Sequence, residues 1–248
     1  MDKGNMIFGT RAVIEAIKGR QEIEKIFVQS GLANELVREL ISLARESQLP
    51  LVFIPQQKLN RMSSKNHQGV ICMLSAVRYA MLEDLIDQAY GMGKDPFFLI
   101  LDRVTDVRNF GALARTAECA GITGIIIAAR GNAPITGDAM KTSAGALSHL
   151  PVCRVDDLRK AIQNLKSNGI HVVACTEKTE TPIYAIDMGR PVAIVLGSEE
   201  DGISPTLLKD ADALAGIPMY GQIQSLNVSV AAGIVLYEAI RQKQFKKG

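Results

Sequence analysis

The sequence predicts an α/β protein: a small α/β unit first, then a larger domain built on a parallel sheet with helices on both faces. Three observations predict it. From Phe97 onward, short continuous apolar runs (FFLIL, GIIIAA, HVVAC, VAIVLG, ALAGIPM) alternate with segments of helical periodicity. Uninterrupted apolar strands are those buried on both faces, and strands separated by helices pair in parallel. Before that point the elements are shorter and mixed. The chain of 248 residues, 47% apolar and 22% charged, is long enough to bury a sizeable core.

In chain order, residues 12–18 and 34–47 carry helical patterns, and residues 25–29, 51–54 and 69–74 read as short strands. These make a small domain over residues 1–78. The stretch EDLIDQAYGMGKDP follows, a short helical pattern and then Gly91, Gly93 and Pro96, so residues 79–96 are expected to be a linker. In the larger domain, residues 97–248, helices are expected at about 110–120, 136–147, 156–168, 204–209 and 226–243.

Several function classes are excluded early. The four cysteines, Cys72, Cys119, Cys153 and Cys175, form no C-x-x-C pair, and there are three histidines, so neither a disulfide framework nor a metal site is expected. The opening MDKGNMIFGT lacks the apolar core of a signal peptide and no apolar stretch approaches 18 residues, which predicts a cytoplasmic protein without a membrane span. A nucleotide fingerprint, G-x-G-x-x-G after the first long strand, is missing from FFLILDRVTDVRNFGALAR, and GMGKDP precedes a strand instead of following one. A dinucleotide enzyme is thereby disfavoured, and no P-loop is present.

Net charge is +2, unevenly spread: residues 1–78 hold 11 Lys/Arg against 7 Asp/Glu. No acidic residue lies between Glu46 and Glu83, where Lys58, Arg61, Lys65 and Arg78 stand among Gln56, Gln57, Asn60, Asn66 and Gln68. A cationic, amide-rich surface suits an RNA phosphate backbone; the alternative is an ordinary solvated face.

Three segments carry candidate chemistry. In LDRVTDVRNFGALARTAECAG, Asn109 stands where a helix N-cap is expected, Gly111 permits close approach of backbone or ligand, and Arg115 interrupts an Ala/Leu-rich helix. Taken singly, Asn109 reads as a cap and Arg115 as a surface arginine with a buried stem. In VAIVLGSEEDGIS, a strand runs into Gly197 and a turn bounded by Gly202; the N–H groups of such a turn can bind a ligand, while Glu199 alone reads as a first-turn acid. In AGIPMYGQIQSLNVSVAAG, a strand ending at Ile217–Pro218–Met219 leads to Ser225, an expected N-cap, and to Asn227 and Ser229, three polar side chains at alternate positions of an apolar segment.

Together these segments resemble the three motifs of the SpoU (TrmH-type) family of RNA ribose 2'-O-methyltransferases, in the SPOUT superfamily. The residues that carry the resemblance are Asn109, Gly111 and Arg115; Gly197, Ser198, Glu199 and Gly202; and Ile217, Pro218, Met219, Ser225, Leu226, Asn227, Val228 and Ser229. IFGTRAVIEAI and NHQGVICML resemble the edges of the substrate-binding domain of the RlmB-like branch, whose members methylate a guanosine of 23S ribosomal RNA. One departure stands out: the family's D-P-x-N is Asp106-Val107-Arg108-Asn109 here. The resemblance implies a sheet closed by a deep trefoil knot, a homodimer packed through the first-motif and last helices, and S-adenosylmethionine as methyl donor. It assigns the donor to Thr176, Gly197, Ile217, Met219 and Leu226 and the reaction to Asn109, Arg115, Glu199, Ser225 and Asn227, while RNA binding is expected at Lys58, Arg61 and Lys65 from the cationic surface above. In that assignment Arg115 is an electrostatic stabiliser, because a guanidinium is effectively never deprotonated; Asn109 and Glu199 orient the reactants. Two other readings remain open, a transfer-RNA methyltransferase of the same family and a non-catalytic RNA-binding homologue.

Overall fold

The computed structural model describes residues 6–223 and 225–245, and it divides into two compact units, Met1–Arg78 with Pro134–Asp138, and Tyr79–Ala133 with Ala139–Gly248.

The smaller unit is a four-stranded sheet with helices. Strands β1 (Met6–Phe8), β2 (Ile23–Gln29), β3 (Leu51–Ile54) and β4 (Val70–Leu74) lie in the order β1-β4-β2-β3, antiparallel except for β2 and β3. Helices α1 (Thr10–Lys18) and α2 (Glu35–Glu46) cover one face through Val13, Ile17, Val37, Leu40 and Ala44, packed with Ile26 and Val28. Asn34 caps α2, its side chain accepting from the Val37 N–H. A helix not expected from the sequence, α3 (Gln56–Met62), lies over the other face through Leu59, beside Ile54 and Ile71.

In the larger unit the sheet has seven strands, all parallel. They are β5 (Tyr79–Ala80), β6 (Phe97–Leu101), β7 (Gly124–Ala128), β8 (Val152–Val155), β9 (His171–Cys175), β10 (Val192–Leu196) and β11 (Ala213–Ala215), in the order β11-β9-β10-β6-β7-β8-β5. Every residue of β6 and of β10 is buried, the signature of central strands covered on both faces. The connecting helices are α4 (Leu82–Gly91), α5 (Val107–Cys119), α6 (Gly137–Thr142), α7 (Leu158–Ser167), α8 (Pro205–Asp210) and α9 (Val228–Gln244).

Four expectations need correction. Residues 79–96 are not a linker: they form β5 and α4, and Leu82, Leu85 and Ile86 belong to the same apolar core as Phe98, Ile100 and Val195. Their spacing presents one apolar face to the sheet, and the glycines come only where that helix ends. The helix expected over 136–147 stops at Thr142, because Ala144 and Gly145 adopt left-handed backbone angles, and a short 3-10 turn, Ala146–Ser148, follows. The caps also differ. Asp106, not Asn109, caps α5, its carboxylate accepting from the Asn109 N–H; Asn227, not Ser225, caps α9 by accepting from the Ser229 N–H. Among the described residues, no helix is long and apolar enough to cross a membrane and no cluster of His, Cys, Asp or Glu could hold a metal ion.

Candidate active site

Strands β6 and β10 are neighbours whose chains leave in opposite directions, β6 toward β7 and β10 toward β11. Such a reversal opens a crevice at the carboxyl ends of the strands, where parallel sheets bind ligands. Both of these loops, and those after β9 and β11, line two cavities there.

The loop after β10 is shaped by two glycines. A Cβ at Gly197 would stand 2.1 Å from the carbonyl carbon of Gly202, and Gly202 itself has φ +68°. No other residue fits the first position, and the second favours glycine. Ser198 and Gly202 exchange backbone hydrogen bonds at 3.2 and 3.0 Å, closing a tight turn that projects Glu199 and Glu200 outward.

Glu199 meets the other two motifs at the tip of that turn. Asn109 Nδ2 donates to Glu199 Oε1 at 2.8 Å, Asn227 Nδ2 donates to the same oxygen at 2.6 Å, and Asn227 Nδ2 lies 3.1 Å from Asn109 Oδ1. Three residues separated by up to 118 positions thus form one hydrogen-bonded cluster. The Oδ1 of Asn227 faces the other way and accepts from the N–H and the hydroxyl of Ser229. Asn227 is therefore both a helix cap and a member of the cluster, which accounts for two of the three alternating polar residues. The third, Ser225, is exposed on the cavity wall.

The larger cavity, about 460 Å³, is lined by Cys175–Lys178, Leu196–Gly202, Ile217, Met219, Ser225, Leu226, Val228 and Ala231. All five residues expected to bind the donor line it: Thr176, Gly197, Ile217, Met219 and Leu226. The smaller, about 330 Å³, lies between Arg103–Asp106, Asn109 and Gly131 on one side and Ser198–Asp201 on the other. Glu199 belongs to both walls. Burial pushes the Cys175 thiol up to about 12, with Glu177 adding to the shift, so it is an inert wall of the larger cavity.

Other expected residues stand elsewhere. Gly111 does permit a close approach, but the group that fills it is protein: a Cβ there would meet the Thr142 side chain at 2.5 Å. Arg115 is exposed on α5 and lines neither cavity. Lys58, Arg61 and Lys65 are exposed in the smaller unit, the first two on α3, and Lys65 lies over the Phe8 ring at 5.1 Å. Sequence reasoning missed Arg103 on the wall of the smaller cavity, and Glu177 and Lys178 on the wall of the larger. Their signal was only position, two charged residues directly after the strand HVVAC.

The larger cavity fits S-adenosylmethionine. Its volume lies in the usual range for small-molecule sites. Apolar Ile217, Met219, Leu226 and Val228 share the lining with Glu177, Glu199, Glu200 and Lys178, a mixture suited to a ligand with an adenine ring, a sulfonium cation and a charged amino-acid end.

Comparison with known proteins points the same way. Residues 96–237 match the family model described as the SpoU rRNA methylase family, and residues 6–80 match that of RNA 2'-O ribose methyltransferase substrate binding. The chain is 35% identical over 237 residues to YacO of Bacillus subtilis, assigned to the TrmH family of tRNA/rRNA methyltransferases, covering 96% of this chain and 95% of the relative. Among solved structures it is similar to an AdoMet-bound rRNA methyltransferase from Sinorhizobium meliloti (TM-score 0.61, 27% identity, 96% of this chain and 87% of the other). It is also similar to the TrmH/SpoU tRNA modifying enzyme of A. aeolicus (TM-score 0.56, 32% identity, 66% and 85%). With the family's model spanning its larger unit and the motifs meeting around one cavity, this chain belongs to the SpoU rRNA methylase family, the TrmH-type S-adenosylmethionine-dependent RNA methyltransferases.

Proposed function

We propose that this protein methylates the ribose 2'-hydroxyl of a structured RNA, a guanosine of 23S ribosomal RNA, and that it does so as a cytoplasmic homodimer. The observation that carries the reading is the Asn109–Glu199–Asn227 cluster, in which Glu199 lines both cavities, Asn109 lines the smaller, and Asn227, on the wall of neither, holds Glu199 from behind. One cavity takes the donor and the other the target nucleotide. When bound, S-adenosylmethionine supplies an electrophilic methyl group on a sulfonium centre. The remaining work falls to side chains of this chain.

Asn109 and Asn227 fix the Glu199 carboxylate by two charge-assisted hydrogen bonds, so that Glu199 orients the ribose hydroxyl instead of rotating freely. Ser225, on the same wall, adds a hydroxyl for the nucleotide. As the 2'-oxygen loses its proton to water or to an RNA phosphate, negative charge grows on it, and a fixed cation lowers the barrier. Arg115 is that cation. It is exposed on α5, which packs on α9 where Gly233 meets Thr116. Helix α9 exposes Val230 and Tyr237, each 51% accessible, the apolar face on which a second copy docks. Arg115 then serves the partner's site across that interface. The trefoil knot belongs to the same reading, supported by the path of the chain after β11, which lines the cavity beside the β9 and β10 loops before entering α9.

The smaller unit supplies RNA affinity. Its α3 and the following loop expose Lys58, Arg61 and Lys65, with no acid between Glu46 and Glu83. The test is 2'-O-methylation mapping of total RNA from a deletion strain, followed by methylation in vitro of a transcript carrying a single 2'-deoxy nucleotide at the mapped position. Loss of one guanosine methyl group from 23S RNA, and no transfer to the deoxy transcript, is expected. Loss from a transfer RNA instead refutes the target, and methylation of the deoxy transcript refutes the reacting atom.

A further inference from the structure

We infer that Arg103 is a positioning residue: its guanidinium fastens the turn that carries Glu199 to the loop after β6, and so sets the wall common to the two cavities. The inference rests on the reading of those cavities just given.

Arg103 adopts φ +59°, a left-handed conformation unfavourable for a residue with a side chain. Its contacts explain why the conformation persists. Nη1 donates to Asp201 Oδ2 at 2.9 Å and Nη2 to the Gly202 carbonyl at 3.0 Å, both in the β10 turn. Nε and Nη2 also reach back to the two oxygens of Asp102, at 3.3 and 3.4 Å. Asp102, only 4% exposed, in turn accepts from the N–H and the hydroxyl of Ser204, just beyond the same turn. One adjacent acid–base pair therefore grips the segment 201–204 at both ends.

The loop it grips from is itself anchored. The Val104 N–H donates to Asn132 Oδ1 and the Val104 carbonyl accepts from the Ala133 N–H, in the segment after β7. Left to itself, the turn has its Ser198–Gly202 backbone pair and the Asp201 N–H donating to Ser198 Oγ at 3.1 Å. Those bonds close the turn but do not orient it. A planar fork of five donors can hold a carboxylate and a carbonyl at once, which a lysine ammonium does with far less directional control.

A mere surface ion pair predicts something different: small, salt-screened effects on melting and none on ligand affinity. The discriminating variants are Arg103→Gly, Asp201→Asn and the double variant. Glycine accepts the left-handed angle without strain, so Arg103→Gly is expected to melt no lower than wild type. Its S-adenosylmethionine Kd, measured by calorimetry, is expected to rise roughly five- to tenfold, the scale of losing an exposed ion pair and a carbonyl hydrogen bond together. Single-turnover methylation is expected to slow comparably, with Arg103→Lys restoring part of both. Asp201→Asn is expected to shift both in the same direction, and the double variant to be no worse than Arg103→Gly alone, because the two residues form one clamp. Wild-type donor affinity and turnover in Arg103→Gly, or losses that multiply in the double variant, overturn the inference. Failure of the wild-type protein to bind S-adenosylmethionine overturns the cavity reading instead.

Discussion

Asn227 has two jobs that separate substitutions can take apart. Its Oδ1 caps α9 by accepting from the Ser229 N–H at 3.0 Å, while its Nδ2 donates to Glu199 at 2.6 Å and to Asn109 at 3.1 Å. Removing a cap costs about 0.5–2 kcal/mol, and a hydrogen bond to a charged group contributes about 1.5–3 kcal/mol. Asn227→Ala loses both. The Glu199 bond is exposed and contributes little to folding, so the stability cost is mainly the cap, about 1 kcal/mol; in a protein of this size that moves the melting temperature by about 2–4 °C, and a fall of about 2–4 °C is expected. Asn227→Ser keeps a capping oxygen and loses the amide, so its melting temperature should stay within about 1 °C of wild type while the rate falls. If the lost bond is fully expressed in the transition state, the fall is roughly tenfold to a hundredfold. Asn227→Asp also keeps the cap but sets a second carboxylate against Glu199, and should be slower still. Thermal melts and single-turnover methylation on the same preparations measure both jobs. If Asn227→Ser turns over like wild type, the cluster is a structural cap that touches the cavity by accident, and the orienting role given to Glu199 fails with it.

Other perturbations have equally definite outcomes. Arg115→Ala should leave melting and donor Kd unchanged and lower single-turnover methylation by roughly 10²–10³-fold; a loss under tenfold removes Arg115 from the reaction. Gly197→Ala forces a Cβ into the Gly202 carbonyl, so it should cost about 1–3 kcal/mol of stability and abolish measurable donor binding by calorimetry, and a variant that binds normally contradicts the packing. Changing Lys58, Arg61 and Lys65 together to Gln should weaken RNA binding and lower the slope of log K against log salt by about 2, with no change in donor Kd; an unchanged slope makes the α3 surface a bystander. Arg241 holds the Glu238 carboxyl below its ordinary 4.5 against a burial penalty that acts the other way. A depressed carboxyl stabilises fully above 4.5 and loses that contribution as pH falls through its lower native value. Glu238→Gln should therefore flatten the stability–pH curve in that acid window, as read by urea melts from pH 5 to pH 2, and a curve parallel to wild type refutes the assignment.

What the sequence shows of this fold follows from where the physics is local. Strands Phe97–Leu101 and His171–Cys175 lie where the apolar runs put them, because a run buried on both faces needs no partner to be visible. Helix α4 was equally visible in Leu82, Leu85, Ile86 and Ala89, but Gly91, Gly93 and Pro96 drew the reading toward a linker when they only end the helix. Ala144 gave no sign of its left-handed angle, since alanine favours the helix that stops before it. The caps were misplaced for a related reason: Asp106, Asn109, Ser225 and Asn227 are all good capping types, and only three-dimensional context decides which oxygen meets which N–H.

The site divides along the same line. Gly197, Gly202 and the polar alternation through Asn227 were legible as residue types that a ligand-binding turn requires. Their convergence was visible only through the family resemblance, because it depends on β10 pairing in parallel with β6 at the point where the order of the strands changes sense. Arg103 is the limiting case. Its two partners in the turn lie 98 and 99 positions away, and its own neighbour in sequence, Asp102, makes it look like half of an ordinary surface pair. The strained backbone angle is the one local mark of its role, and a sequence does not display backbone angles. A residue that holds such an angle while its side chain binds two loops is under tension from both ends, which is why glycine at this one position separates backbone comfort from loop alignment.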